Sequence, residues 1–273
     1  MNMKKVLFLV TVVLLLAAFG VSAFMVGSYL LEGKAEEKRN EELAQLVEDG
    51  RNNATEAAPV PEQTTPVDGA TEPAATEPKE KHILEVYEPH YAQNSDMVGW
   101  LEIPQTKVKY PVMQTPEDPN YYLKHNFDKR ESARGAIYAW GSADINKPSD
   151  NITLFGHNMA DGSMFATLGN YNNEYFWKSH SLIFFDTLYE YHQYKVFAVF
   201  KTSATLGGDG FSYHQFVDAE NEEEFNEFIA TCKKLSFYDT GITPVYGDKI
   251  LCLSTCEYTL ENGRFVVCAY RIT

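Results

Sequence analysis

Cys256 stands at the end of the apolar run Ile250-Leu251-Cys252-Leu253 and the pair Ser254-Thr255. Eight residues later Arg264 opens a second apolar run, Phe265-Val266-Val267-Cys268-Ala269-Tyr270. Between them Asn262-Gly263 is a strong hairpin signal. Two strands joined this way return the chain beside itself, so the Cys256 sulfur and the Arg264 guanidinium can lie close together. A thiolate is a nucleophile, and a reacting carbonyl needs a positive partner for its developing oxyanion. Arg271 competes for that role. It lies seven residues beyond Arg264, an odd spacing that puts the two on opposite faces of an unbroken strand. Only one can share a groove with Cys256, and Arg264 is the one beside the turn.

A cysteine nucleophile needs a proton-transfer partner. The histidines are 82, 90, 125, 157, 180, 192 and 214. His157 differs from the others because it ends the apolar strand 151–156 and begins the polar turn Asn158-Met159-Ala160-Asp161-Gly162. A strand ending this way can present an imidazole to a cleft.

The elements that must position these groups are short strands. The sequence predicts strands at 98–103, 108–113, 135–140, 151–156, 181–186 and 193–200, followed by the final hairpin. A short amphipathic helix is expected within 82–92, with Pro89 limiting its length, and another at 164–168. Residues 219–235 read as a longer helix with Phe225, Phe228, Ile229, Cys232 and Leu235 on one face. Residues 202–217 are irregular. Many short strands with few helices indicate a mostly β barrel or curled sheet with helices appended.

Several segments resemble one family. Leu253-Ser254-Thr255-Cys256 with a nearby Arg matches the Thr-Leu-x-Thr-Cys…Arg signature of the sortases, without the leading Thr. Leu154-Phe155-Gly156-His157-Asn158-Met159, followed by Asp161-Gly162-Ser163-Met164-Phe165, resembles the catalytic-histidine segment of class B sortases. The likeness extends over residues 83–273. It includes Asn94-Ser95-Asp96-Met97-Val98-Gly99-Trp100-Leu101, Tyr110-Pro111-Val112-Met113-Gln114 and Asn120-Tyr121-Tyr122-Leu123, and the helix at 219–235 falls where class B members carry one.

The resemblance implies an eight-stranded sortase-type β-barrel, with an N-terminal helix and a helix between the sixth and seventh strands. It implies a cysteine transpeptidase. Cys256 would attack the carbonyl after the threonine of a C-terminal sorting signal, of Asn-Pro-x-Thr type, on a secreted protein. His157 would move protons, and Arg264 would hold substrate and oxyanion, aided by a backbone N–H such as that of Glu257. Ser254, Thr255, Glu257 and Asn120 would line the substrate groove. A peptidoglycan amine would resolve the thioacyl enzyme. No cofactor is implied, and no His/Cys/Asp cluster has metal-ligand spacing.

The address agrees with that reading. Met1–Lys5 carries two lysines, and residues 6–31 are 26 residues without a charge. As a helix these span about 39 Å, more than the roughly 30 Å of a hydrocarbon core. Basic residues before the span and acidic ones after it put the N-terminus in the cytoplasm and the rest outside. Val21-Ser22-Ala23 also resembles a signal-peptide cleavage site, but the apolar run is longer than such a region needs. A single-pass anchor is therefore expected. Residues 32–50 are charged and helix-permissive. Residues 51–81, with five prolines, five threonines and no aromatic residue, read as an extended spacer. The catalytic domain is expected at 82–273.

The net charge of −15 makes nucleic acid a poor partner. An even count of four cysteines in an exported chain raises disulfides. Cys252 and Cys256 are about 13 Å apart along one strand, too far to bond. Cys252 and Cys268 can face each other across the hairpin. The expectation is three small buried hydrophobes and one reactive thiol.

Three other functions fit parts of the pattern. A papain-like or cell-wall peptidase would place the cysteine before the histidine, whereas here His157 precedes Cys256 by 99 residues. A tethered binding module would not need Cys256, His157 and Arg264 together. A pilin-polymerising enzyme of the same fold would use a lysine amine, but its Asp-Pro-aromatic lid is not evident.

Overall fold

A computed structural model describes residues 3–56, 82–203 and 210–273. Most of the expected spacer and part of the irregular 202–217 segment lie outside the described residues.

Eight strands close into a barrel. They are β1 (Met97–Glu102), β2 (Lys109–Met113), β3 (Ile137–Ala139), β4 (Asn151–Phe155), β5 (Leu182–Thr187), β6 (Gln193–Ser203), β7 (Ile250–Glu257) and β8 (Gly263–Arg271). The order around the barrel is β1-β2-β3-β4-β7-β8-β6-β5. β2 with β3 and β4 with β7 are parallel, and the other pairs are antiparallel. This is the eight-stranded architecture expected from the sequence. Alternation divides each strand. Leu251, Leu253, Val267 and Ala269 join Leu154, Ile137 and Leu101 in the main core, while Cys252, Val266 and Cys268 belong to a separate cluster beneath a helix.

That helix is α4 (Glu222–Leu235). It starts three residues later than expected, because the Asn221 side chain accepts from the Glu224 N–H at 3.1 Å and caps it. Three glutamates in its first turn and two lysines in its last complement the helix dipole. Phe225, Phe228, Ile229 and Cys232 cover β6, β7 and β8. The helix expected within 82–92 is only one turn, α2 (Glu88–Tyr91), and the one at 164–168 is replaced by a 3₁₀ segment over Ala166–Asn172. A further short helix, α3 (Glu174–Ser179), was not expected; Asn173 caps it.

The largest difference lies at the N-terminal side. One helix, α1, runs Met3–Glu56, and its apolar part is long enough to cross a membrane. The larger compact unit spans Leu43–Thr273, so it includes helical residues ahead of the expected 82–273 segment. Leu43 and Val47, four residues apart on one helix face, are buried against Tyr87, Trp100 and Met113. One turn further on, Arg51 bridges Glu102 at 2.9 Å and Asp186 at 3.1 Å, and Glu48 pairs with Lys109. Burial opposes the Arg51 charge, but Tyr87, Glu102 and Asp186 outweigh it and push its pKa up. Two apolar residues among charges give only a weak helical period, so this packing leaves little trace in the sequence.

Leu43 is fully buried, whereas Leu46 is exposed. Leu43→Ala is expected to cost about 2–4 kcal/mol, and Leu46→Ala under about 0.5, in urea unfolding of the full chain in detergent followed by tryptophan fluorescence.

Candidate active site

The β7–β8 ladder decides where Cys256 points. Cys256 is the register partner of Arg264, and Arg271 faces Lys249 at the other end, donating its N–H to the Lys249 carbonyl at 2.8 Å. That bond makes 249/271 a hydrogen-bonded pair. Counting in twos, 252/268, 254/266 and 256/264 fall between bonds, where side chains approach most closely. Cys256 and Arg264 therefore share the outer face of the barrel, beyond the part that α4 covers. The chain turns between them with Asn262 at φ +49°, and an added Cβ at Gly263 would lie 2.5 Å from the Glu257 carbonyl oxygen.

β4 brings the histidine. It runs parallel to β7 with Phe155 beside Ser254, so continuing that register puts His157 beside Cys256. Four bonds staple the two strand ends together. Gly156 N–H donates to Ser254 O at 3.1 Å, Thr255 Oγ1 to Gly156 O at 2.8 Å, Asn158 Nδ2 to Cys256 O at 3.1 Å and Tyr258 OH to Asn158 O at 3.3 Å. The turn after His157 is itself held. Asp161 accepts from Ser163 and pairs with Arg134, and Met164 N–H donates to Tyr110 OH. Burial opposes ionisation of Asp161, but Ser163 and Arg134 outweigh it and hold its carboxyl at about 2.

His157 Nε2 lies 2.8 Å from the Leu123 carbonyl. A carbonyl only accepts, so this bond requires the proton on Nε2. In the neutral ring Nδ1 is then the basic nitrogen. Leu123 ends the 3₁₀ turn Tyr121–Leu123, which Asn120 precedes. Cys256, His157 and Arg264 are all half-buried. Among the described residues Arg264 has no ion-pair partner; its Nη1 donates to the Gly263 carbonyl at 2.9 Å. Its positive charge is felt by its neighbours. Burial raises Tyr138 to about 12, and Arg264 and Cys256 act on it in opposite directions. Burial, then Arg264, lowers the pKa of His214. The His214 ring packs edge-on against Trp140, Phe155 and Tyr213.

The four residues expected to line a groove are placed differently from one another. Ser254 and Thr255 are buried, with hydroxyls bonded to Tyr213 and the Gly156 carbonyl, and they hold the strand end. The Glu257 carboxylate is taken by Lys201 at 2.7 Å and by Thr259 and Leu260 of the turn. Burial opposes its ionisation, but the bonds from Lys201 and Thr259 hold its pKa near 2. Asn120 is exposed and makes no capping bond.

A family model described as "Sortase domain" matches residues 101–272. The chain belongs to the class B sortases. It is 29% identical over 192 residues to sortase B of Staphylococcus aureus, covering 70% of this chain and 76% of the relative. It is 32% identical over 177 residues to sortase B of Listeria monocytogenes, covering 64% and 69%. A solved Staphylococcus aureus sortase B–substrate complex superposes with a TM-score of 0.73 at 26% identity, covering 89% of this chain and 99% of that one. Family membership makes this sortase a cysteine transpeptidase of cell-wall sorting.

The sequence reading missed Leu123, Asn158, Tyr138, Trp140 and His214 as neighbours of the site. A backbone carbonyl leaves no signal at all, and His214 sits in a stretch without periodicity.

Two substitutions test this geometry. An added Cβ at Gly156 would lie 2.5 Å from Ile137 Cδ1 and 2.8 Å from the Phe165 ring. Gly156→Ala is expected to destabilise by about 1–3 kcal/mol in chemical denaturation. Glu257 titrates near 2 in the folded sortase against a usual 4.5, so its stabilisation is complete above about pH 4.5 and is lost as pH falls towards 2. Glu257→Gln should flatten that part of the pH–stability curve measured by thermal melts.

Proposed function

We propose that Cys256 is the nucleophile, His157 the proton carrier and Arg264 the oxyanion and substrate-backbone partner of a membrane-anchored transpeptidase. The observation that carries this reading is the facing of Cys256 and Arg264 on β7 and β8, with the end of β4 stapled beside them.

In the reaction, the Cys256 thiolate adds to the carbonyl after the threonine of an Asn-Pro-x-Thr-like sorting signal. Negative charge moves to the carbonyl oxygen, where Arg264 and the Glu257 N–H meet it. Collapse of the adduct breaks the peptide bond, and His157 supplies a proton to the leaving amine through Nδ1, the nitrogen that the Leu123 contact leaves available. A peptidoglycan amine gives its proton to His157, adds to the thioester and releases Cys256. The sorted protein is then amide-linked to the wall. Residues 6–31 of α1 would anchor the enzyme in a single pass, with Lys4 and Lys5 inside and the catalytic unit outside. Two further features support the reading: a substrate-bound relative with the same architecture, and an Arg264 whose side-chain bonds go to the Asn262 and Gly263 carbonyls, with no carboxylate partner among the described residues.

The test incubates the full chain in detergent with a panel of sorting-signal peptides, with and without a peptidoglycan-type amine, and follows it by mass spectrometry. An acyl adduct on Cys256 that becomes amide product when amine is added is the expected outcome. Cys256→Ala should abolish it, and Arg264→Ala should lower kcat/KM by about 10²-fold or more. Hydrolysis indifferent to amine would overturn transpeptidation.

A further inference from the structure

Three cysteines lie on the outer face of the β7–β8 ladder or against it, and the reaction uses none of them. Cys252 lies four residues before Cys256 on β7, and Cys268 four residues after Arg264 on β8. They are register partners at the same non-hydrogen-bonded type of position as Cys256 and Arg264. Such positions bring Cα atoms to about 4.5 Å, inside the roughly 4.4–6.8 Å that a disulfide spans. Their sulfurs are 3.1 Å apart and fully buried. Cys232 of α4 contacts Cys268 from above, and it too is buried.

We propose that Cys252 and Cys268 are joined by a cross-strand disulfide when this sortase folds in the presence of an oxidant, fixing the base of the hairpin that carries Cys256 and Arg264. The oxidant is a small disulfide of the oxidised-glutathione class. One cysteine, as thiolate, attacks a sulfur of that disulfide and releases one small thiol. The second cysteine, as thiolate, attacks the protein sulfur of the mixed disulfide and releases the other. The protein loses two S–H bonds, two protons and two electrons and gains one S–S bond; the reagent leaves as two thiols.

Burial pushes both thiols well above their usual range, so the folded barrel exchanges slowly. Oxidation therefore belongs to the stage at which β7 meets β8, before α4 covers them. Cys256 stays out of the bond because it is about 13 Å from Cys252 along the strand. Its partner position holds Arg264, not a thiol. The closed loop restricts the unfolded chain and stabilises the fold. Only the origin of the oxidant depends on the extracellular placement proposed above, and the test supplies its own.

The full chain is refolded in detergent with oxidised glutathione, blocked with N-ethylmaleimide after unfolding, and digested without reductant. The expected result is two blocked cysteines, Cys232 and Cys256, and a linked pair of peptides carrying Cys252 and Cys268, 2 Da below their summed thiol masses. Reduction should lower Tm by about 5–10 °C. The Cys252→Ala/Cys268→Ala variant should show no link, the same Tm with and without reductant, and unchanged turnover. Four maleimide adducts, or a link through Cys232 or Cys256, would overturn the proposal. Failure of the peptide assay leaves these masses unaffected, so the two readings fail separately.

Discussion

Sliding β7 by one residue against β8 would turn Cys256 from the outer face into the barrel and carry Leu253 out of the core. The register of this one ladder is therefore the constraint on which the site depends. It is held from both sides. Inside, Leu251, Leu253, Val267 and Ala269 are packed in the main core; outside, Cys252, Val266 and Cys268 are sealed under α4. Neither face can be exchanged for the other, because one-residue slippage would expose both hydrophobic sets at once. The last outward-facing pair before the turn, Cys256 with Arg264, lies beyond this cover.

The same logic explains the polar bonds at the strand ends. Beyond Phe155 and Ser254 the regular ladder stops, and side chains take over its work. Thr255, Asn158 and Tyr258 tie the β4 and β7 ends together, and Leu123 fixes the imidazole from a separate turn. Arg264 donates to the Asn262 and Gly263 carbonyls and acts electrostatically on Tyr138 and His214, with no carboxylate among its described contacts, so its charge remains available to a ligand. Arg134, by contrast, is consumed by Asp161 to hold the turn that follows His157.

How much of this was legible in the sequence depended on how local the signal was. The final hairpin was, because Asn262-Gly263 and two flanking apolar runs specify it within a short window. Strand alternation likewise marked six earlier strands and the α4 face. The parallel pairing of β4 with β7 was not, since it joins residues 99 apart with no shared local pattern; the place of His157 at a strand end marked it, and the family resemblance strengthened that choice. Glu257, Ser254 and Thr255 were assigned to a groove by the family resemblance, which does not say what each side chain is bonded to. In the structure their side chains bond to Lys201, Tyr213 and the Gly156 carbonyl, long-range partners with no local sequence signal. The continuation of α1 onto the catalytic unit was hidden because Leu43 and Val47 stand among charges, and tertiary burial overrode a weak period.

The parallel seam between β4 and β7 has a kinetic meaning. Its partners are separated by roughly half the length of the catalytic unit, and closing so long a loop must be paid in chain entropy before any contact returns it. Pairings of that kind form late. His157 can reach its place on the early strands without Cys256 beside it, and Cys256 can lie on a formed hairpin without the imidazole. Under the proposed roles, acyl transfer requires the closed seam, because only then do His157 and Cys256 stand side by side.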